Sequence, residues 1–180
     1  IAFVAIIAGC SPNNTKQNFL SFNFFKSQSD ISNNTLIIPG KKVGAITSQT
    51  TRADLVKMFG ESKLKDDVVL EGEGTISVPV TKVNLGGDKY LTVVWEEDTR
   101  ETLLYVRDFG SAWKTPEGIG MGTSLAELQT KLGDFKLTGL GWNYGGFINL
   151  ETTTLSEYQG LLSLKLAPNE EAIKQNPQQN

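Results

Sequence analysis

The sequence predicts the α+β class, as two tandem repeats that each place a short helix before an antiparallel meander. Three observations predict it. A capped-helix pattern at 119–133 occurs again at 46–60 in the same register, and each copy is followed by strand-like stretches broken at glycine pairs. Eighteen glycines among many Thr, Ser and Asn residues also suit strands and turns better than a helical bundle.

In 119–133, Ser124 with Glu127 three residues on is a capping box: the hydroxyl accepts the backbone N–H near Glu127 while the carboxylate reaches back to the cap. Leu125, Leu128 and Leu132 share one face, and Gly133 can take the left-handed conformation that closes the helix. A helix of about two turns does not stand alone in water, so its leucines must dock on something larger. The earlier copy matches position by position: Ile46 with Ile119, Thr50 with Thr123, Thr51 with Ser124, Ala53 with Ala126, Asp54 with Glu127, Leu55 with Leu128, Phe59 with Leu132 and Gly60 with Gly133. The simplest account is a repeated unit in which each half covers the other's apolar face.

With 180 residues and 39% hydrophobic content the chain can bury one sizeable core, or two small ones sharing an interface. A net charge of -3 gives no basic footprint for nucleic acid. There is no histidine and the only cysteine is Cys10, which removes the ordinary zinc and nucleophile–base constellations and any disulfide within the chain. No cofactor and no metal site is expected, and the chain is expected not to be an enzyme.

Residues 1–8 are a continuous apolar run that ends in Gly9-Cys10 and gives way at once to Ser11-Pro12-Asn13-Asn14. The run is too short to cross a bilayer of about 30 Å as a helix. It has two readings: the hydrophobic region of a secretory signal peptide, which is favoured, or a buried N-terminal strand with an incidental cysteine. Ile7-Ala8-Gly9-Cys10 resembles the lipobox of bacterial lipoproteins, with Ile7 where Leu is more usual. The resemblance implies that residues 1–9 are removed and that Cys10 is acylated, with palmitate among the expected chains, and holds the protein on membrane lipid. Each buried CH₂ contributes roughly 0.8 kcal/mol to such anchoring. Ser11 following the cysteine resembles the class sent to the outer membrane.

Residues 10–35 are expected as the lipidated cysteine and a flexible tether. Within it, Phe19-Leu20-Ser21-Phe22-Asn23-Phe24-Phe25 is either a segment that docks on the domain or a lipid contact. The first repeat is assigned 36–110. After Gly60, Val68-Val69-Leu70 leads to a turn at Glu71-Gly72-Glu73-Gly74. Residues 75–85 form a strand in which Pro79 marks an edge or bulge, and Gly86-Gly87 turns into 89–96. Glu97-Asp98-Thr99-Arg100 turns again into 102–108, giving about three strands with Trp95 and Tyr105 as large packing groups.

The second repeat is assigned 111–168. Pro116 and two glycines break the connection around Trp113. After the second helix, 135–144 is a strand, Gly145-Gly146 a turn, 147–151 a return strand and 161–166 a last strand, with 169–180 a frayed tail. A capped helix ending in Gly before a meander, used twice, resembles the β-lactamase-inhibitor-protein-like architecture and the small outer-membrane assembly lipoproteins. That likeness implies a curved sheet whose concave face binds a partner protein. The chain lacks the inhibitors' disulfides, and it has Glu61 and Asp134 where the assembly lipoproteins place Pro, so no inhibitory residue carries over.

Gly141-Trp142-Asn143-Tyr144-Gly145-Gly146 is the densest cluster of binding groups. Trp142 and Tyr144 flanking Asn143 suit a protein partner or a sugar ring, or pack as an ordinary hairpin. Trp113 is either a second anchor or a plug between halves. Asp66-Asp67, Glu71, Glu73 and Glu96-Glu97-Asp98 form neither a legible carboxylate pair nor a calcium loop. Gly118-Ile119-Gly120-Met121-Gly122 lacks the Lys of a phosphate loop. The expected function is therefore a non-catalytic binding or scaffolding module of the envelope that recognises an envelope protein. The alternatives are a carbohydrate-binding module or a glycan hydrolase using carboxylates.

Overall fold

Apolar alternation carries the strands and the capping boxes carry the helices. In a computed structural model that describes residues 2–9, 28–138 and 145–168, the order is β1 (Ala2–Gly9), α1 (Gln28–Asn33), β2 (Ile37–Ile38), β3 (Lys42–Val43), β4 (Ile46–Thr47), α2 (Arg52–Phe59) and β5 (Leu64–Glu71). β6 (Ile76–Asn84), β7 (Tyr90–Trp95), β8 (Leu103–Arg107), α3 (Leu125–Leu132), β9 (Lys136–Leu137), β10 (Ile148–Asn149) and β11 (Leu162–Pro168) complete it. The class is α+β with antiparallel sheets. The main sheet has the order β11-β1-β8-β7-β6-β5; β2, β3 and β4 form a small sheet, and β9 pairs with β10.

The two capping boxes are built alike. Asp54 N–H donates to Thr51 Oγ1 and Glu127 N–H to Ser124 Oγ, both at 3.2 Å, and each acid accepts the cap's own N–H in return. The preceding turns match as well: Thr47 N–H donates to Thr50 Oγ1 at 2.9 Å and Gly120 N–H to Thr123 Oγ1 at 3.0 Å. Gly60 and Gly133 end the helices at positive φ, 83° and 76°, each N–H bonded to the carbonyl four residues back, where a Cβ would be strained. Leu55, Phe59, Leu128 and Leu132 all enter one buried cluster with Val83, Leu91, Val93, Val106 and the β11 leucines 162, 164 and 166. Both helices thus cover the same face of the same sheet.

The meander has four strands where about three were expected. β5 begins among Lys65, Asp66 and Asp67, whose charges mask its periodicity, and it forms one edge of the sheet. Asp66 is bound by Arg52 and Asp67 by Lys82, and such charges blunt an edge against further pairing. Pro79 stands where β6 has only β5 beside it, because β7 joins at Val80; a missing N–H is tolerated there.

The far end of this hairpin does not stay in plane. Tyr105, Val94, Val80 and Asp67 are successive cross-strand partners, so in a flat sheet Glu71 would lie about 20 Å from Tyr105. Instead Tyr105 Oη donates to the Glu71 carboxylate at 3.3 Å and Arg107 Nη1 sits 2.6 Å from it. The hairpin tip therefore curls over the face opposite the helices, and Val80 and Val94, on Tyr105's face, are fully buried.

Three segments bear on the expected layout. The stretch assigned to the tether contains α1, with Ile31 packed on the core. Trp113 is 1% exposed, 6.0 Å from the Phe109 ring and so close to Gly44 that a Cβ there would sit 3.1 Å from the indole; it fills the seam where 35–37 meets 113–115 and has no surface with which to anchor a partner. Residues 2–9, expected in a removed leader, form β1 inside the sheet, antiparallel to β11 from Ala2↔Pro168 to Ala8↔Leu162 and to β8 at Ala8↔Val106 and Gly9↔Tyr105. Cys10, residues 11–27, Trp142, Asn143, Tyr144 and the tail 169–180 lie outside the described residues.

Candidate functional site: a groove between β8 and β11

β8 and β11 are both antiparallel to β1, so they run in the same direction one strand apart. Where β1 ends at Gly9 they leave a groove of about 520 Å³, lined by Leu104 and Tyr105 of β8, by residues 159–163 before and within β11, and by Thr138 and 147–149 around the β9–β10 hairpin. In the chain, Thr138 and Phe147 stand on either side of the stretch that contains the candidate residues Trp142, Asn143 and Tyr144, which lie outside the described residues.

The groove is mostly apolar, and its polar groups are largely engaged in holding its shape. Thr138 Oγ1 accepts from Phe147 N–H at 3.0 Å, Gln159 Oε1 from Leu150 N–H at 3.0 Å, and Asn149 Oδ1 from Glu151 N–H at 2.8 Å. Leu104 is 41% exposed on its wall. Burial, with Glu71 beside it, pushes the Tyr105 hydroxyl up from its ordinary value, so it remains a proton donor to that carboxylate. Apolar walls with backbone nearby suit an extended peptide more than a charged small molecule.

Of the acidic residues in which the sequence shows neither a carboxylate pair nor a calcium loop, Asp66, Asp67 and Glu71 are held in ion pairs with Arg52, Lys82 and Arg107. Asp66 is partly buried, which opposes its charge, yet hydrogen bonds from Arg52 and Thr81 keep its carboxyl below the usual range. Asp67 is lowered chiefly by Lys82. The Arg52 guanidinium, bonded to Glu61 and Asp66, is raised above its ordinary value. A polar relay runs inward from this cluster: Thr81 Oγ1 donates to Asp66 at 2.6 Å and accepts from Trp95 Nε1 at 2.9 Å. Carboxylates held ionised by cations in this way are poorly suited to donate a proton. Among the described residues no group of three or more His, Cys, Asp or Glu side chains converges as a metal site, and no helix is long and apolar enough to cross a membrane.

Sequence reasoning marked Tyr105 and the alternation of 161–166 as packing features, and their joint role as opposite walls of a groove depends on a pairing between segments far apart in the chain. Set against known families, characterised proteins and solved structures, the chain finds no match.

Proposed function

We propose that this chain is a bacterial envelope lipoprotein, anchored through acylated Cys10 and directed to the outer membrane, that works without catalysis as a binding or scaffolding module for an envelope protein. The carrying observation is the placement of the sole cysteine at the boundary between an apolar run and a polar stretch, in Ile7-Ala8-Gly9-Cys10. The matched hydrogen bonds of 46–60 and 119–133 support two tandem helix-plus-meander repeats of the β-lactamase-inhibitor-protein-like kind. The groove between β8 and β11 is the proposed contact surface, and Trp142, Asn143 and Tyr144, which lie in sequence between its lining residues Thr138 and Phe147, are the proposed partner-binding residues.

A specific observation favours a second reading. The antiparallel pairing of β1 with β11 across seven residue pairs fits a chain that keeps residues 1–9 as a permanent strand, with Cys10 incidental. Growth of the producing bacterium with a labelled fatty acid separates the two: label in the wild type and none in Cys10→Ala is expected, and label persisting in Cys10→Ala refutes acylation at that thiol. Crosslinking in intact envelopes then tests the surface. Trp142→Ala is expected to lose a specific crosslinked partner, and an unchanged partner set removes Trp142 from the interface.

A further inference from the structure

β1 is the only strand that joins the meander β5–β8 to β11 among the described residues. Removing it exposes the β11 edge from Leu162 to Pro168 and, at the end where Ala8 and Gly9 also pair with β8, leaves two edges running in the same direction, separated by about 10 Å, twice the spacing of neighbouring strands. That width admits one extended chain, antiparallel to both. We infer that the gap between β8 and β11 is a strand-acceptor site, and that in the processed lipoprotein it is filled by an extended segment of the partner protein. The inference rests on the lipoprotein reading, because only processing before Cys10 empties the position.

The walls state what the segment must be. Residues directly opposite one another in a ladder share a face, and Leu162, Leu164 and Leu166 of β11 are buried in the core cluster while Leu161, Ser163, Lys165 and Ala167 are half-buried. Side chains that an incoming strand places opposite Leu162, Leu164 and Leu166 therefore face the core and need to be apolar. The alternate positions face the other side of the sheet, where polar side chains are tolerated. The partner segment is thus an extended peptide of about eight residues that is apolar at every second position, held by main-chain hydrogen bonds and sorted by those side chains. The open groove at Leu104, Tyr105, Leu161 and Leu162 receives its continuation beyond the Gly9 position.

The test uses the protein purified from envelopes in detergent, with its N-terminus fixed by intact mass. The probe is a synthetic peptide of the Ala2–Gly9 sequence with two appended lysines and a fluorophore, beside a version N-methylated at alternate residues. N-methylation removes ladder donors without making the peptide less apolar, so simple partitioning into detergent would not distinguish the two. Expected are saturable binding of the first peptide, binding of the methylated one at least about tenfold weaker, and slowing of amide exchange in β11 by at least about tenfold on binding. Equal binding of both peptides overturns the proposal. So does a processed protein whose β11 amides are already fully protected without the probe, since its own chain, residues 19–25 included, would then close the gap. A mass that retains residues 1–9 overturns the lipoprotein reading itself, and the inference with it.

Discussion

Residues 46–60 and 119–133 solve one local problem twice with the same geometry, yet the strands built after each copy differ. Both begin with an apolar residue, turn through a buried threonine, cap with a hydroxyl and a carboxylate, bury a leucine at the centre and end on a glycine at positive φ. After Gly60 the chain builds four long strands and curls a hairpin over the sheet. After Gly133 it builds the two-residue strands β9 and β10 before reaching β11. Within the motif, too, the residues between the shared positions differ. Arg52 clamps Glu61 and Asp66, whereas its counterpart Leu125 is 39% exposed. Local hydrogen-bond geometry is dictated by a few neighbouring residues, while the reach of the strands beyond it depends on partners distant in sequence.

The two copies meet in the core, and there the largest effects are expected. Leu55→Ala and Leu128→Ala should each destabilise the fold by about 2–5 kcal/mol, the range for a buried leucine whose surroundings only partly collapse. Urea unfolding of both checks it, and two separate transitions would mean that the helices do not share one core. Next in size is the relay, which among the described residues is present only in the first half. Thr81→Val leaves the Trp95 indole N–H buried without its acceptor and should cost about 1–3 kcal/mol by the same measurement. The caps come third: Thr51→Ala and Ser124→Ala should each cost about 1 kcal/mol, and a large inequality would show that tertiary contacts carry one of the two caps.

The smallest expected effect is the pH dependence of the caps. The hydrogen bond from Lys57, then those with Thr51, hold the Asp54 carboxyl down at about 2, and the Ser124 backbone and hydroxyl lower Glu127. A carboxyl lowered in the folded state adds stability that is fully present above its unfolded value, about 3.9 for Asp and 4.3 for Glu, and is lost as pH falls through the folded value. The stability deficit of Asp54→Asn should therefore be complete at pH 6 and shrink as the pH falls from about 4 toward 2, with Glu127→Gln behaving in the same sense. A deficit that stays constant across this window would assign the cap to the hydroxyl alone.

Legibility in the sequence divides along the same line. Thr51, Asp54 and Gly60, and Ser124, Glu127 and Gly133, announce their geometry because each bond closes within four residues. Gly86-Gly87 likewise announces the turn between β6 and β7. β5 was missed in its first half because Lys65, Asp66 and Asp67 interrupt its apolar pattern, and the two acids are neutralised by Arg52, Lys82 and Arg100 from other elements. The groove was not legible because Tyr105 and Leu162 belong to opposite halves and meet only through the register of β1. The same apolar run, residues 1–8, satisfies a leader and a strand equally well, since both require little more than continuous hydrophobicity.

The central claim is that the sole thiol carries the anchor, leaving a tethered body that recognises by surface. Trypsin cleavage after Lys16 with mass analysis of the envelope-derived protein tests it most directly. The account predicts an N-terminal peptide that starts at Cys10 and carries acyl chains; an unmodified peptide in which residues 1–9 still precede Cys10 would contradict it.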